Sequence, residues 1–273
     1  MDLLHYFAPV EPNVEYAPNQ MGSKLKLMVS EEDLEEVDVV LFDVQEDRYS
    51  NNTGCAKAGN EIRKYLYQLY QGDYKLNVAD IGSLKAGNRV EDTYFALEEC
   101  LVYFMKKQIL PVIIGGSQDL TFANYKAYVH LEQMVNLVSI DEKFALGNSD
   151  SNINSSNYMS KLLFQQPNVL FNYSNLGYQS YFVDKQELSV LDELFFDIHR
   201  LGLLKADLKL AEPIIRNADF ISFNMGAVSQ AFAAANANAS PNGFTGEEAC
   251  QLARYAGMSD KLSSIGFYEF NPS

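Results

Sequence analysis

The chain has 273 residues, of which 47% are hydrophobic and 21% are charged, and its 36 acidic and 21 basic residues give a formal net charge of −15. Nucleic acid is not an expected partner, because an acidic surface repels a phosphate backbone. The three cysteines, at positions 55, 100 and 250, form neither a disulfide framework nor a zinc motif, which favours reduced thiols and a cytoplasmic location.

Residues 1–35 are polar and irregular, with prolines at positions 9, 12 and 18, and a short acidic helix is predicted to begin at Glu31. The first residues contain no basic region followed by an apolar core, and no apolar run reaches the length of a membrane span. A secretion signal and a membrane-inserted segment are therefore not expected.

Short apolar runs alternate with helical patterns along the rest of the chain. The apolar runs predict strands over residues 37–44, 76–81, 111–114, 135–141, 168–173, 219–224 and 263–270. The helical patterns predict helices over residues 56–70, 92–107, 119–130, 158–166, 188–203, 208–216 and 245–256. In the first of these helices, Ile62, Tyr65, Leu66 and Leu69 share one apolar face, which is expected to be buried.

The close alternation of strands and helices predicts one doubly wound, mostly parallel α/β domain over residues 1–273. The last helix is expected to begin with a capping box formed by Thr245 and Glu248. Nothing in the sequence follows the last strand, so its next edge is expected to be uncovered.

Three of the predicted strands end in small or polar residues. They run into Gly-Gly-Ser-Gln-Asp at 115–119, Asp-Glu-Lys-Phe-Ala at 141–145 and Ser-Phe-Asn-Met-Gly at 222–226. In open α/β sheets, ligands bind at the carboxyl ends of the strands. We therefore expect one site where five side chains converge, namely those at Gln118, Asp141, Lys143, Asn224 and Gly226.

These stretches resemble the ureohydrolases, the family of arginase, agmatinase and formimidoylglutamase. That family carries Gly-Gly-Asp-His-Ser, Asp-Ala-His-x-Asp and Ser-Phe-Asp-Val-Asp in the same order and at similar spacing. The loop over residues 227–245 and the ending Tyr-Glu-Phe-Asn-Pro at 268–272 also follow the family pattern. The run from Asp141 to Leu146 is most similar to the formimidoylglutamase version. The resemblance implies a three-layer, arginase-like fold.

The resemblance also implies a site for two Mn²⁺ ions, held in the family by two histidines and four aspartates around a hydroxide that attacks an amidine carbon. The six ligand positions correspond here to Gln118, Asp141, Lys143, Ala145, Asn224 and Gly226. Only Asp141 matches, and the replacements offer weak amides, no donor atom, or a cation that repels metal. We therefore expect no metal cofactor and no intact catalytic residue. Glu269 occupies the position of the family glutamate that pairs with the amidinium group of the substrate.

Lys143 is two residues beyond Asp141, which places both on one side of the strand if it remains extended. We expect its ammonium within salt-bridge distance of Asp141 or Glu269, with Gln118 and Asn224 completing the hydrogen bonds. The alternative is a lysine that extends into solvent. The same alternation predicts that the Glu142 side chain points away from Asp141. A new metal site is disfavoured because ligands need a convergent geometry; its residues would be Asp119, Glu142 and Asp150.

Three functions remain open. The first is a non-catalytic relative of formimidoylglutamase that binds an unknown small molecule or protein. The second is an active hydrolase of linear amidine C–N bonds with an unrecognised metal site. The third is a metal-free enzyme in which Lys143 and Asp141 act as acid and base, although a neighbouring carboxylate raises a lysine pKa rather than lowering it. The resemblance is also compatible with a homo-oligomer, and it implies a further helix that is missing after Ser273.

Overall fold

The computed structural model describes residues 3–10, 14–27, 30 and 32–272. The sequence-based expectations for Pro12, for a helix start at Glu31 and for the chain end at Ser273 lie outside these residues.

Within the described residues, the strands form one ten-stranded sheet in the order β1-β4-β3-β5-β10-β9-β6-β7-β8, and β2 also pairs with β4. Only β1 runs antiparallel to its neighbour, so the predicted mostly parallel α/β fold is confirmed. The strands are β1 (Phe7–Ala8), β2 (Lys26–Leu27), β3 (Val39–Val44), β4 (Val78–Leu84), β5 (Leu110–Ile114), β6 (Val135–Ile140), β7 (Leu170–Tyr178), β8 (Asp197–Arg200), β9 (Phe220–Asn224) and β10 (Ser264–Tyr268).

Helices connect the strands and flank the sheet. They are α1 (Met21–Lys24), α2 (Ala58–Leu66), α3 (Val90–Lys106), α4 (Leu120–His130), α5 (Tyr158–Leu163), α6 (Lys185–Glu193), α7 (Leu201–Ala206), α8 (Ala211–Arg216) and α9 (Gly246–Gly257). Helix α9 begins with the predicted capping box, because the backbone N–H of Thr245 donates to Glu248 at 2.7 Å and that of Glu248 donates to the Thr245 hydroxyl at 3.2 Å. None of the described helices is long and apolar enough to cross a membrane.

The central strands are almost completely buried, as their continuous apolar sequences predict. Strand β10 lies between β5 and β9 and forms parallel pairs with both. The expectation of an uncovered edge beside the last strand was therefore wrong, because strand order in space differs from strand order in the chain. This central position places Glu269, the residue after β10, beside the ends of β5 and β9.

The predicted helix over residues 188–203 was wrong. The structure has α6, then strand β8 at the edge of the sheet, then α7. Phe195 interrupts the helix because its φ of 58° is in the left-handed region, which ends a right-handed helix. The apolar residues on either side of this interruption follow a helical spacing. The sequence pattern therefore could not distinguish one continuous helix from two helices separated by a strand.

The apolar face predicted for the first long helix is only partly buried. Helix α2 ends at Leu66, and Tyr65 and Leu69 are exposed. The buried residues lie next to that face and include Gly59 and Arg63. Electrostatics explains the difference, because Arg63 pairs with two carboxylates that lie on strands β3 and β4.

Candidate functional site

Four neighbouring strands, in the order β5-β10-β9-β6, end beside a cavity of about 250 Å³. Five of the seven positions predicted from the sequence line this cavity, namely Asp141, Lys143, Ala145, Asn224 and Glu269. The other two, Gln118 and Gly226, are buried next to lining residues. The strand ends therefore converge as expected.

The turn after β5 places Gln118 behind Glu269. Gly115 and Gly116 have φ values of 102° and 88°, a backbone conformation that glycine adopts without steric cost. The backbone N–H of Gln118 donates to Glu269 Oε1 at 2.7 Å, and its side-chain nitrogen donates to the Ser222 hydroxyl at 2.7 Å. Gln118 is consequently held by the protein and does not project into the cavity as an available ligand.

Asp141 is buried at the end of β6 and its carboxylate is engaged on both oxygens. Oδ1 accepts the backbone N–H of Lys143 at 3.1 Å, and Oδ2 accepts the Asn224 amide at 3.1 Å. Burial raises the pKa of Asp141 well above its usual value, and the charge of Glu142 and a hydrogen bond with Glu142 raise it further. Burial and the adjacent Glu142 therefore both favour the protonated form of Asp141.

Glu142 points into the cavity, so the prediction that it points away from Asp141 was wrong. Strand β6 ends at Ile140 and the chain bends at residues 142 and 143, so the alternation of an extended strand no longer applies. Gly226 provides the necessary space. A Cβ atom at this position would lie 2.7 and 2.8 Å from the two carboxylate oxygens of Glu142.

The predicted ion pair of Lys143 with Asp141 or Glu269 was also wrong. Among the described residues, the Lys143 ammonium makes one ion pair, at 3.8 Å from Glu142 Oε1. It also lies 5.3 Å from the centre of the Phe182 ring, and its side chain is 51% exposed. The bend after β6 directs Lys143 to the mouth of the cavity, while only its backbone N–H reaches Asp141.

Glu269 is fixed by a loop whose contribution the sequence analysis missed. The Ser50 hydroxyl donates to both carboxylate oxygens, at 3.1 and 2.9 Å, and the Asn52 amide donates to the Glu269 backbone oxygen at 2.8 Å. Burial raises the pKa of Glu269 to about 7. Its φ of 65° is unusual for a side chain other than glycine, and such strain is often found at functional sites. The loop over residues 45–54 is polar and contains no motif that could have identified these contacts.

The rim of the cavity is polar. Asn236 and Asn238 line it from the loop over residues 227–245. The sequence analysis did not identify the other lining residues, Asn51, Gly147, Ser155, Ser156, Phe182 and Glu187. They lie in loops and at a helix that approach the site only in the folded chain, so sequence spacing gave no signal for them.

The donor atoms at this site do not match a binuclear manganese centre. Of the six ligand positions in the family pattern, only Asp141 keeps its aspartate. The other five carry two amides, an ammonium that repels a metal ion, and two residues without a side-chain donor. In the described part of the chain, no group of three or more histidine, cysteine, aspartate or glutamate side chains could hold a metal. The disfavoured alternative ligand set is also not assembled, because Asp119 is buried against the Tyr94 hydroxyl.

Comparison with known proteins gives a consistent result. Residues 37–273 match the sequence model of the arginase family. A manganese-bound formiminoglutamase from Trypanosoma cruzi has 17% sequence identity and a TM-score of 0.83, over 93% of this chain and 90% of that chain. Formimidoylglutamase from Bacillus subtilis has 14% identity and a TM-score of 0.83, over 96% of this chain and 88% of that chain.

A third solved structure, the agmatine ureohydrolase of Thermoplasma volcanium, has 20% identity and a TM-score of 0.72, over 94% of this chain and 87% of that chain. A comparison with curated proteins gave no match. At these identities the solved structures establish the fold and leave the activity open.

Proposed function

Since the chain belongs to the arginase family, we propose that it is a non-catalytic relative of formimidoylglutamase that has lost the binuclear manganese site. The pocket at the strand ends remains as a binding site for a small molecule or for part of a partner protein. The polar rim and the acidic floor of the cavity support a binding role.

The observation that carries this proposal is the position of Glu142. Its carboxylate occupies the space beside Gly226, where a side chain in this sequence register would supply a metal ligand. Burial and the charge of Glu142 raise the pKa of the neighbouring Asp141 and so favour its neutral form. The cation beside Glu142 is the Lys143 ammonium, which does not generate the activated hydroxide that a metal ion supplies.

Metal analysis tests this proposal directly. The purified protein is loaded with Mn²⁺, passed through a desalting column and analysed for metal, with an active formimidoylglutamase treated identically as the control. We expect no retained manganese. Retention of about two manganese ions per chain, the stoichiometry of a two-metal site, would overturn the proposal.

The competing function is hydrolysis of linear amidine C–N bonds, which the fold similarity to a manganese-bound formiminoglutamase favours. The same loaded sample is assayed with formimidoylglutamate, agmatine and arginine, with and without Mn²⁺. We expect no turnover in either condition. Metal-dependent turnover would support the active hydrolase, and metal-free turnover would support acid–base catalysis by the carboxyl pair and Lys143.

We also propose that residues 1–273 work as a single domain in the cytoplasm. The continuous sheet, whose described strands extend from Phe7 to Tyr268, supports the single domain. Limited proteolysis checks it, because a single domain is cleaved only at exposed loops and termini. Two stable fragments that separate and remain folded would contradict it.

A further inference from the structure

The cavity has an excess of negative charge. Four of its lining residues carry carboxyl groups, whereas Lys143 is the one basic residue among them. The carboxyl residues are Asp141, Glu142, Glu187 and Glu269. Even when Asp141 retains its proton, one ammonium at the cavity mouth does not balance the remaining groups. The field inside the cavity therefore favours a cationic ligand.

Glu142 is the carboxylate with the fewest protein partners. The residue is 6% exposed, and its Oε2 atom is buried and accepts no hydrogen bond from an N–H or hydroxyl group. Its nearest cation, the Lys143 ammonium, lies 3.8 Å from Oε1, beyond hydrogen-bond distance, and half of the lysine side chain is in solvent. A buried charge that lacks donors is costly, so a ligand that brings N–H groups to the Glu142 carboxylate is stabilised.

Lys143 indicates what kind of cation fits. Its ammonium lies near both the Glu142 carboxylate and the Phe182 ring, and an ammonium over an aromatic ring is an attractive arrangement. A planar amidinium instead needs two free oxygens of one carboxylate. Glu269 is less suited to this contact, because Ser50 and Gln118 already donate to acceptor sites on its two oxygens.

We propose that the cavity binds a primary alkylammonium ion, with its N–H groups on the Glu142 carboxylate and its alkyl chain beside Phe182. This inference rests on the proposed function, since two metal ions at the strand ends would occupy the same place. The polar rim, which includes Asn236 and Asn238, then contacts the far end of the ligand. A ligand ammonium and the Lys143 ammonium compete for Glu142, so Lys143 weakens binding.

Calorimetric titration with n-butylammonium chloride tests the proposal. The first comparison ligand is n-butyltrimethylammonium, which keeps the charge but has no N–H donor, and the second is n-butylguanidinium, which has planar donors. We expect both to bind at least about tenfold more weakly than n-butylammonium, the equivalent of about 1.4 kcal/mol for the lost hydrogen bonds. Equal binding of all three would show attraction to charge alone and would overturn the proposal.

Two substitutions are expected to change the affinity for n-butylammonium in opposite directions. Glu142→Gln removes the charge and should abolish measurable binding of n-butylammonium. Lys143→Met removes the competing ammonium and should tighten binding by about three- to tenfold. Glu193→Gln, an exposed change on α6, is the matched control and should leave binding unchanged. Unchanged or weaker binding by Lys143→Met overturns the proposal even if Glu142→Gln does not fold.

Failure of this inference is distinguishable from failure of the proposed function. Manganese retention of about two ions per chain overturns the proposed function, whatever the amine titration gives. A protein that retains no manganese and does not bind n-butylammonium leaves the proposed function standing and overturns only the alkylammonium site.

Discussion

Arg63 with Asp43 and Asp80, and Lys143 with Asp141 and Glu142, each combine one basic side chain with two carboxyl groups, and the surroundings of these two places differ. At the first place Arg63 is buried between strands β3 and β4 and donates to Asp43 and to both oxygens of Asp80, the latter at 2.8 and 2.9 Å. Tyr67 and Ser83 donate further hydrogen bonds to these carboxylates, at 2.8 and 2.7 Å. Every charge in this cluster is paired and hydrogen-bonded.

At the second place, in the cavity, the charge of Glu142 helps to raise the pKa of Asp141, and Lys143 lies 3.8 Å from the nearer glutamate oxygen. The lysine is half exposed, and one glutamate oxygen has no donor. The comparison separates two uses of the same residue types. Full pairing with a rigid guanidinium gives a cluster that supports the fold, whereas incomplete pairing with a flexible ammonium leaves capacity for a ligand.

The largest expected effect comes from breaking the complete cluster. Arg63→Met leaves two buried carboxylates without their cation, and we expect a loss of about 3–5 kcal/mol in the free energy of unfolding. Lys64→Met is the matched control on the same helix, because Lys64 is exposed and pairs only with Glu61; it should cost less than about 1 kcal/mol. Urea denaturation measures both values. A loss below about 1 kcal/mol for Arg63→Met would remove the contrast between the two places.

The second effect concerns Glu269, which completes the wall of the cavity. Its pKa rises from 4.5 to about 7 on folding, so the folded state holds a proton that the unfolded state releases between these values. Because the folded pKa is the higher one, this contribution to stability is complete below pH 4.5 and is lost as the pH rises to about 7. The loss amounts to about 3 kcal/mol.

Glu269→Gln should remove this part of the pH dependence. Unfolding free energies measured between pH 4.5 and 7.5 are compared for the wild type, for Glu269→Gln and for the exposed control Glu193→Gln. The slope should flatten by about 3 kcal/mol across the interval in Glu269→Gln and remain unchanged in the control. If the unfolding free energy depends on pH in the same way in all three proteins, Glu269 does not have a raised pKa in the folded state.

A third substitution, Gly226→Ala, tests the position of Glu142 in the cavity because it fills the space next to the Glu142 carboxylate. Gly226→Ala places a Cβ atom 2.7 Å from the Glu142 carboxylate, and overpacking of this kind costs about 1–3 kcal/mol. The cost should fall when Glu142→Ala is added, because the two changes share one steric contact. Gly202→Ala is the control, since a Cβ at that position meets nothing within 4 Å. Equal costs with and without the Glu142 change would contradict this placement of Glu142.

The Arg63 cluster and the cavity also show which features of the structure can be predicted from the sequence. The ends of β5, β6 and β9 were predictable, because buried parallel strands have continuous apolar runs that stop at small or polar residues. The role of Arg63 was not, since its carboxylate partners belong to strands β3 and β4, and pairing with them buries Arg63 on α2. The amphipathic pattern of a helix is judged from its apolar residues alone. It therefore does not identify a helix whose buried face contains a charged residue paired with carboxylates.

The candidate site was predictable in position and partly wrong in its contacts. The convergence of Asp141, Asn224 and Glu269 follows from which residues end neighbouring strands. The direction of Glu142 depends on a bend that begins two residues after Ile140, and no local sequence signal gives a strand end to that accuracy. Strand β8 was missed for a related reason, because a left-handed residue at Phe195 is a backbone property that apolar spacing does not reveal.

The smallest expected effect on stability is that of Lys143→Met. A buried pair with Asp141, as the sequence suggested, would make this change cost about 1–3 kcal/mol. The structure gives a half-exposed ammonium that lies 3.8 Å from its partner, and solvent screens such a pair, so we expect a loss below about 1 kcal/mol. Urea denaturation of Lys143→Met and Arg63→Met under the same conditions gives the loss in unfolding free energy at each of the two places.

The coupling between positions 141 and 143 decides which account of this lysine is correct. Asp141 Oδ1 accepts the backbone N–H of residue 143, and that group remains when the side chain becomes methionine. The losses in Lys143→Met and Asp141→Asn should therefore add in the double variant to within about 0.5 kcal/mol. A coupling energy above about 1 kcal/mol would instead place the Lys143 ammonium on Asp141 in solution. The cavity would then resemble the Arg63 cluster, with its carboxylate charge satisfied by the protein itself and with less capacity for an external cation.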